Sequence, residues 1–466
     1  MRSVAALLLL TGVAAADPDP RDPWSEPVER TPAEAPISAR DVRGAPAPGE
    51  ESGRTDHEPE EGVARKLGRA ILWIPRLPLE LVARPVSEMI YLQDRYSVGN
   101  QVADSFQTED KKLAIYPTAF FETGFGLNIG ARIKTNNLVD RETFSGRVAF
   151  GGQFQWITDL SLSRRWGPVA IGIEGRREAR DNDRFFGYGN ADVGTPAMTL
   201  DPLTGDVAVS TRFRSRMLRG LATARIELTR HLSVTATSAI VRRTFDGTDE
   251  SDSIDAVFDV GALPGFMTDT TYLHDELTVA WDTRRRASKW DMHGVRSGGG
   301  LLLGFADHQH GLDDEPDFVR YGVDLQRFFR LTEGPRVLEF RLYGEAVTGA
   351  RDEVSFSELP RLGGPNVLRG YETGRFRDRV ATVGQVRYLW ATLAWLAPSI
   401  FVDTGRVWSG FDDLSLDNLR VGFGGGIEAY SRKGLSMRAE IASSIDGGLF
   451  AFLSFQPVFD SRMEHH

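Results

Sequence analysis

From about residue 112 onward, apolar and polar side chains alternate with a period of two, at which side chains along a β-strand return to one face. Residues 337–346, with the sequence VLEFRLYGEA, show the pattern clearly, and residues 318–327 and 419–429 repeat it. Apolar groups on one face and charged groups on the other are typical of a barrel with lipid outside and water inside. A soluble sandwich would instead hide its apolar face in a core.

The alternation therefore predicts an all-β fold, an antiparallel transmembrane β-barrel of about sixteen strands over residues 112–459. The mean hydropathy of −0.27 excludes a bundle of membrane-spanning helices. The predicted strands are 112–122, 125–134, 142–151, 153–164, 168–177, 211–228, 231–243, 272–282, 295–305, 317–329, 336–347, 380–391, 397–408, 419–430, 434–443 and 447–458.

The connections between the predicted strands alternate in length. Outer-membrane barrels place long loops outside the cell and short turns in the periplasm. Here the long connections follow odd-numbered strands, so the N-terminus is predicted to be periplasmic. The long connections are 178–210, 244–271, 306–316, 348–379 and 409–418. One basic connection, 283–294, follows an even-numbered strand and is longer than a tight turn.

Two segments of different composition begin the chain. Residues 1–16 are predicted to be a signal peptide, because Arg2 precedes a short apolar run and alanines lead up to Asp17. Residues 17–62 are rich in proline and acidic residues and are predicted to be a disordered linker, because they hold few large apolar side chains. This linker carries most of the formal net charge of −10, so the charge says little about partners.

Residues 63–106 are predicted to form a short amphipathic helical segment. Leu67, Ile71 and Ile74 recur at helical spacing among basic residues, and prolines divide the run into short helices. Two alternatives remain open for this segment. It lies in the membrane interface with its basic residues at anionic headgroups, or it packs against the periplasmic rim of the barrel or inside the lumen.

The predicted sixth extracellular loop, residues 348–379, contains a stretch with an unusual composition for a solvated loop. Residues 359–380 read LPRLGGPNVLRGYETGRFRDRV and combine several glycines with several arginines. Glycine permits backbone angles that other residues avoid. Arginine needs anionic or carbonyl partners if such a loop folds inward.

Four short segments resemble motifs of the BamA/TamA/FhaC superfamily of outer-membrane barrels. LRGY at 368–371 resembles its (V/L)RG(F/Y) loop signature, and FVDTG at 401–405 resembles its F-x-D-x-G motif. WDTR at 281–284 and RFFGYGN at 184–190 resemble two further family segments. The candidate loop residues are Leu368, Arg369, Gly370 and Tyr371, and the candidate wall residues are Phe401, Asp403 and Gly405.

The resemblance implies that the sixth loop folds back into the lumen, where Arg369 meets Asp403. Alternation agrees with this arrangement, because Val402 then faces lipid and its two neighbours face the lumen. The alternative is a solvated Asp403 in a water-filled pore. Family members also carry periplasmic POTRA domains that bind clients or partners. Residues 17–106 lack the alternating strands and helices of such a domain, so we expect none there.

The seam between the first and last strands is predicted to be the weakest part of the barrel wall. Residues 112–122 must pair with 447–458, because a barrel in lipid cannot leave strand edges unpaired. Glycine adds no side-chain packing and proline donates no ladder hydrogen bond. Aromatic residues near the end resemble the terminal strand that the outer-membrane assembly machinery recognises. The candidate seam residues are Pro117, Gly447, Gly448, Phe455, Pro457 and Phe459.

No motif in the sequence supports catalysis, so we predict no enzyme and no cofactor. The glycine-rich run 422–426 lies within a predicted strand and indicates a kink of the barrel wall. His308 and His310 flank Gln309 in a predicted acidic loop, but two histidines are too few to predict a metal site. Basic residues are scattered, so no nucleic-acid partner is predicted. There is no cysteine.

The alternation predicts an outer-membrane protein of a Gram-negative bacterium, and the family resemblance implies that it mediates insertion or passage of a protein or lipid client. The alternative is a passive or gated outer-membrane pore that lacks POTRA domains, and a structural or surface-interaction barrel is a third possibility. The expected partners are outer-membrane lipid, a protein or lipid client, and the machinery that inserts the barrel itself. The oligomeric state stays open.

Overall fold

A computed structural model describes most of the chain between residues 113 and 454. The described residues are 108, 113–122, 126–136, 142–152, 155–190, 210–286, 295–312, 315–331, 336–390, 392, 396–431 and 434–454. The predicted signal peptide, linker and amphipathic segment, residues 1–16, 17–62 and 63–106, lie outside them.

Within the described residues there are nineteen strands, and three of these are only two residues long, which leaves sixteen wall strands. The wall strands are β1 (Leu113–Glu122), β2 (Gly126–Asn136), β3 (Glu142–Gly152), β4 (Gln155–Trp166), β5 (Val169–Phe185), β6 (Thr211–Glu227), β7 (Leu232–Asp246), β8 (Thr270–Asp282), β9 (Arg296–Gly311), β10 (Phe318–Arg330), β11 (Arg336–Val347), β12 (Val380–Trp390), β13 (Leu396–Trp408), β14 (Arg420–Ser431), β15 (Gly434–Ser444) and β16 (Leu449–Ser454). Each pairs antiparallel with the next along the chain. The predicted all-β, sixteen-stranded antiparallel barrel is confirmed.

The alternation in the sequence becomes an alternation between the outside and the inside of the wall. On β13, Ile400 and Val402 are about half exposed, whereas the residues that alternate with them, Phe401 and Asp403, are buried. The exposed apolar side chains form the surface that faces lipid, since successive side chains of a strand point to opposite faces. The charged side chains consequently face the lumen.

Two strands are longer than the sequence pattern predicts. β5 continues to Phe185 rather than ending at residue 177, with a register irregularity between Arg180 and Asp183. β9 continues to Gly311 rather than ending at residue 305. Near these ends the strands carry polar, charged and aromatic residues instead of apolar residues at alternate positions, so periodicity alone underestimates their length. The ladders nevertheless continue to Phe185 and Gly311.

The basic connection between β8 and β9 also differs from a tight turn for a structural reason. Arg285–Arg286 form a two-residue strand that pairs with Arg296 and Gly298, with a register shift between the two pairings. Part of this predicted connection therefore continues the ladder of the wall.

The first and last wall strands, β1 and β16, approach each other to within 8 Å between Cα atoms. The residues described in these two strands form no hydrogen-bonded ladder with each other. Gly447 and Gly448 were expected at the start of the last strand, but they form the turn before it. Their φ angles of 90° and 87° explain the difference, because glycine adopts this left-handed region at little steric cost.

In the part of the chain that the structure describes, no helix combines the length and apolar character needed to cross a membrane.

Candidate functional site: the sixth loop in the barrel lumen

The long connection between β11 and β12, residues 348–379, folds inward and packs against the lumen side of the wall. Its two arms are joined by a short antiparallel ladder in which Arg361–Leu362 pair with Phe376–Arg377. The tip between these arms turns back on itself through residues with positive φ, among them Leu368 at 52° and Gly370 at 93°. Leu368 is fully buried, so tertiary contacts compensate the strain of a non-glycine residue in this region.

At the tip, the side chain of Arg369 is completely buried between two carboxylates. Its Nε donates to Oδ2 of Asp403 at 2.8 Å, and its Nη2 donates to Oδ1 of the same residue at 2.7 Å. The backbone N–H of Arg369 also donates to Asp403 Oδ2 at 2.9 Å. Nη1 donates to Oε1 of Glu440 at 2.8 Å. The loop tip is therefore held by a bidentate pair to β13 and a second ion pair to β15.

The aromatic ring of Phe401 completes the pocket around this guanidinium. The guanidinium carbon lies 3.5 Å from the ring centroid, in a cation–π arrangement. Phe401 and Asp403 both face the lumen from β13, which is why a spacing of two brings both to Arg369. The F-x-D motif thus supplies one charged and one aromatic partner to the same side chain.

Burial lowers the pKa of Arg369, but the neighbouring carboxylates of Asp403 and Glu440 outweigh it and raise the pKa above the ordinary arginine value. Arg377, further along the loop, has no such compensation. Burial, together with the positive charge of Arg361, lowers the pKa of Arg377 to about 9. The loop therefore holds one guanidinium whose charge is fully matched and one that is poorly matched.

Comparison with known proteins identifies the fold family. The sequence model of the Omp85 superfamily domain matches residues 91–442. The chain belongs to the Omp85 superfamily. It is accordingly an outer-membrane protein of a Gram-negative bacterium, in a class associated with insertion or secretion.

Several solved structures are similar to this chain, and one of them shows the same fold. BamA from Haemophilus ducreyi lacking POTRA domains 1-3 is 12% identical with a TM-score of 0.52, over 73% of this chain and 69% of that one. CdiB from Acinetobacter baumannii is 12% identical with a TM-score of 0.43, over 72% of this chain and 62% of that one. CdiB from Escherichia coli is 11% identical with a TM-score of 0.47, over 73% and 61%. No curated protein matches the chain.

Three residues of this Omp85 barrel contribute to the loop junction although no sequence pattern assigned them to it. Glu440 accepts from Arg369, and it also lies 3.3 Å from Nε of Arg438 on the same strand. Gly422 on β14 has no room for a side chain, because a Cβ there would meet the carbonyl oxygen of Arg369. Alternation along β14 and β15 predicts that Gly422, Arg438 and Glu440 face the lumen. Only the position of the loop decides that these residues, among all those facing the lumen, contact it.

The glycine-rich run 422–426 is thus more than a kink in the wall, because Gly422 allows the loop backbone to lie directly against β14. Gly370 makes the reciprocal approach, since a Cβ on it would meet the backbone carbonyl of Ser443 on β15. Gly405 on β13 has a similar use. A Cβ there would lie 3.1 Å from Cδ1 of Leu362 in the loop.

Tyr371 and Arg420 extend the junction toward the end of the barrel where the long loops lie. The hydroxyl of Tyr371 donates to Oδ2 of Asp446 at 2.8 Å, and Nη1 of Arg420 lies 3.1 Å from Oδ1 of the same carboxylate. The ring of Tyr371 packs edge-on against Phe376 at 5.1 Å between centroids. Asp446 belongs to the turn between β15 and β16, so the loop also contacts the element before the last strand.

The segment RFFGYGN packs against the sixth loop instead of forming a separate motif. Its first residues, Arg184 and Phe185, end β5. The backbone N–H of Gly189 donates to the carbonyl oxygen of Arg377 at 2.8 Å, and the carbonyl of Asn190 accepts from Nη2 of Arg420 at 2.7 Å. This segment and the sixth loop consequently support each other.

An aromatic cluster fills the interior near the long-loop ends of β5 to β8. Phe356 in the sixth loop is fully buried there, with ring centroids 4.8 Å from Phe245, 5.5 Å from Phe213 and 5.7 Å from Phe185. Edge-to-face packing of this kind stabilises beyond simple area burial. The other members of the cluster are Tyr188, Ile254, Val257, Phe258, Leu263, Phe266, Tyr272, Phe318, Val347, Val354 and Leu359.

The predicted seam and histidine positions have mixed outcomes. Pro117 lies in β1 opposite Ala131 of β2. Phe455, Pro457 and Phe459 lie outside the described residues.

His308 and His310 lie on β9 rather than in a loop, which corrects their assignment. Nδ1 of His310 lies 2.8 Å from a carboxylate oxygen of Asp317. The described residues contain no group of ligands that could hold a metal ion.

The DTR segment, which ends β8 in this Omp85 barrel, forms a local ion pair. Nε of Arg284 donates to Oδ1 of Asp282 at 2.8 Å, and Nη1 donates to Gln326 on β10 at 3.1 Å. The backbone N–H of Thr283 donates to the carbonyl of Gly300 at 2.8 Å. The segment therefore ties the β8–β9 connection to the wall and does not contact Arg369.

Proposed function

We propose that this Omp85 barrel mediates the insertion or passage of a protein or lipid client at the outer membrane, with the sixth loop as an internal brace. The observation that carries the proposal is the buried junction of Arg369 with Asp403 and Glu440. Through it, a single loop contacts β13, β14 and β15, the strands that lead up to the last strand. The proposal assigns no catalytic step and no cofactor to the chain.

The brace ends next to the seam, and this location suggests where a client acts. β15 is held through Glu440, whereas β1 and β16 share no ladder among their described residues. Pro117 cannot donate a ladder hydrogen bond at the seam. A wall with fewer ladder bonds has a lower opening free energy than the wall beside it. We place the functional opening at the junction of β1 and β16.

Disulfide crosslinking of the seam tests this proposal, because the chain has no native cysteine. One cysteine is introduced within β1 (113–122) and one within β16 (449–454), in a strain that depends on this protein. Outer-membrane protein and lipid content is then compared between oxidised and reduced cells. We expect the oxidised form to deplete the client and reduction to restore it. A crosslinked barrel that supports a normal outer membrane would exclude opening of the seam.

A second candidate function, a passive or gated pore, is favoured by a separate observation. On β3 and β5, the lumen-facing side chains of Arg147 and Arg176 retain 21% and 14% of their exposure, so water reaches this part of the lumen. Planar bilayers containing the purified protein distinguish the two functions. A stable open conductance supports the pore, and a closed state supports the braced insertion barrel.

The expected partners follow from the same proposal. Lipid surrounds the wall, a protein or lipid client meets the seam, and the assembly machinery inserts the barrel itself. Recognition through the aromatic terminal residues Phe455 and Phe459 stays a prediction. The periplasmic position of the N-terminal residues 17–106 likewise stays a prediction, as does the absence of POTRA domains.

A further inference from the structure

The lumen wall formed by β2 to β6 carries a transverse row of charged residues at mid-strand positions. In the ladder register, Arg132 of β2 lies opposite Arg147 of β3, and Arg147 lies opposite Asp159 of β4. Asp159 in turn lies opposite Arg176 of β5, which lies opposite Arg219 of β6. We call these five residues the basic row. Every member is an arginine except Asp159.

The basic row faces the lumen. The strand neighbours that point the other way are exposed apolar side chains of the lipid-facing surface, including Val148, Leu160 and Leu218. Water reaches part of the row, since the side chains of Arg147 and Asp159 each retain 21% of their exposure. That part of the row is therefore accessible inside the barrel, whereas the side chain of Arg219 is buried.

Carboxylates within and near the row are shared among several arginines. Asp159 Oδ2 accepts from Nε of Arg147 at 2.7 Å, while its Oδ1 lies 3.5 Å from Nε of Arg176. Arg219 pairs with Glu174, and Nε of Arg176 donates to Oε2 of Glu178 at 2.8 Å. At Arg132, Nε has no hydrogen-bond partner among the described residues.

Two pairings in the row place like charges directly opposite each other, Arg132 with Arg147 and Arg176 with Arg219. Such pairs destabilise a sheet unless an anion lies between them. Guanidinium groups side by side present several N–H donors in a geometry that suits planar carboxylate and tetrahedral phosphate oxygens. Arg176 and Arg219 already have Glu178 and Glu174 as partners, so the repulsion is least compensated between Arg132 and Arg147, where the N–H donors suit an oxyanion.

We propose that the basic row is a binding site for oxyanions, phosphate- or carboxylate-bearing solutes, inside the barrel lumen. The occupied site would relieve the repulsion between Arg132 of β2 and Arg147 of β3. This inference goes beyond the insertion proposal and does not depend on it, because no residue of the row belongs to the loop junction at Arg369.

The test is a titration of the full-length folded protein with inorganic phosphate in detergent at low ionic strength, followed by calorimetry. We expect saturable binding to the wild type and a loss of about tenfold or more in affinity for the double variant Arg132→Gln/Arg147→Gln, since charge-assisted hydrogen bonds are lost. The matched control is Arg242→Gln on β7, whose exposed side chain pairs with Asp269 outside the row.

A wild type without saturable phosphate binding overturns the proposal, as does a double variant that binds like the wild type or a control that loses affinity equally. If the double variant does not fold, the single variants Arg132→Gln and Arg147→Gln are compared by phosphate protection against heat unfolding at constant ionic strength. Equal protection of both single variants and the wild type also overturns the proposal. A failure here leaves the seam experiment unaffected, since that experiment measures client content and no anion.

Discussion

The two sides of the barrel lumen treat charged residues in opposite ways. On the side covered by the sixth loop, several guanidiniums are buried and matched by carboxylates: Arg341 binds both oxygens of Asp324, and Arg387 lies between Glu339 and Glu428. On the side of the basic row, arginines outnumber carboxylates along the row, and the side chains of Arg147 and Asp159 stay partly accessible to water.

The difference follows from the cost of removing charge from water. A buried guanidinium without a partner costs several kcal/mol, so the covered side must match its charges. An accessible one keeps part of its hydration, and an excess of charge is then tolerated. Where a loop covers a charged wall, the wall becomes a structural junction; where it does not, the same residue type is available to a ligand.

The largest effect that this comparison predicts is for Arg369→Ala. The substitution leaves Asp403 and Glu440 buried without their cation, so we expect a loss of about 3–5 kcal/mol in the free energy of unfolding. The matched change on the other side, Arg147→Ala, is expected to cost less than about 1 kcal/mol, because its pair with Asp159 is partly exposed. Urea titrations of the barrel in lipid vesicles measure both.

Equal losses of unfolding free energy for Arg369→Ala and Arg147→Ala would contradict the difference between the loop-covered side and the side of the basic row. A double-mutant cycle of Arg369→Ala with Asp403→Ala provides the control, because the two residues are in direct contact and their losses should not add. Additive losses would mean that the contact contributes nothing specific.

A smaller effect is predicted for Gly422→Ala. The added Cβ meets the carbonyl oxygen of Arg369, and we expect a cost of about 1–3 kcal/mol as the loop tip moves off β14. Gly175→Ala on β5 is the matched control, since a Cβ there meets nothing within 4 Å and should change stability by less than about 0.5 kcal/mol. Protease sensitivity of the loop provides a second readout. A stable Gly422→Ala variant with a protected loop would contradict close contact.

Asp159→Asn tests the comparison on the side of the basic row. It removes the one carboxylate of the basic row and leaves Arg147 and Arg176 without it, so we expect a loss of about 1 kcal/mol at low salt. Because these side chains are partly exposed, added salt should restore most of the loss by screening. A loss that is independent of salt would indicate that this wall is as dry as the loop-covered one.

The smallest effect is predicted for deletion of residues 17–62. The composition of this acidic segment gives it no role in the barrel wall, so the folded barrel should keep its stability within about 0.5 kcal/mol. Phosphate titration of the deleted protein is the sensitive readout. Tighter phosphate binding after the deletion would show that the acidic segment competes for the basic row, and the row would then not be open in the full chain.

Much of this protein was determined by local sequence pattern. The period of two identified the strands, their lipid-facing and lumen-facing sides, and the alternation of long and short connections. It does so because a barrel strand presents apolar side chains to lipid and polar side chains to the lumen along its length. It also placed Phe401 and Asp403 on the lumen side of β13 without any knowledge of neighbouring strands. The strand ends were less predictable, because β5 and β9 continue beyond the residues that show the lipid pattern.

Other features were decided only by the tertiary structure. The sequence shows no reason why Glu440 or Gly422 should meet Arg369, because their partnership depends on where a loop tip lands after crossing the lumen. The basic row is likewise invisible along the chain, since its members lie on five strands and meet only through register. Local alternation sets which face a residue occupies, but the ladder register and the path of the loop decide which charges become neighbours and which lose their water.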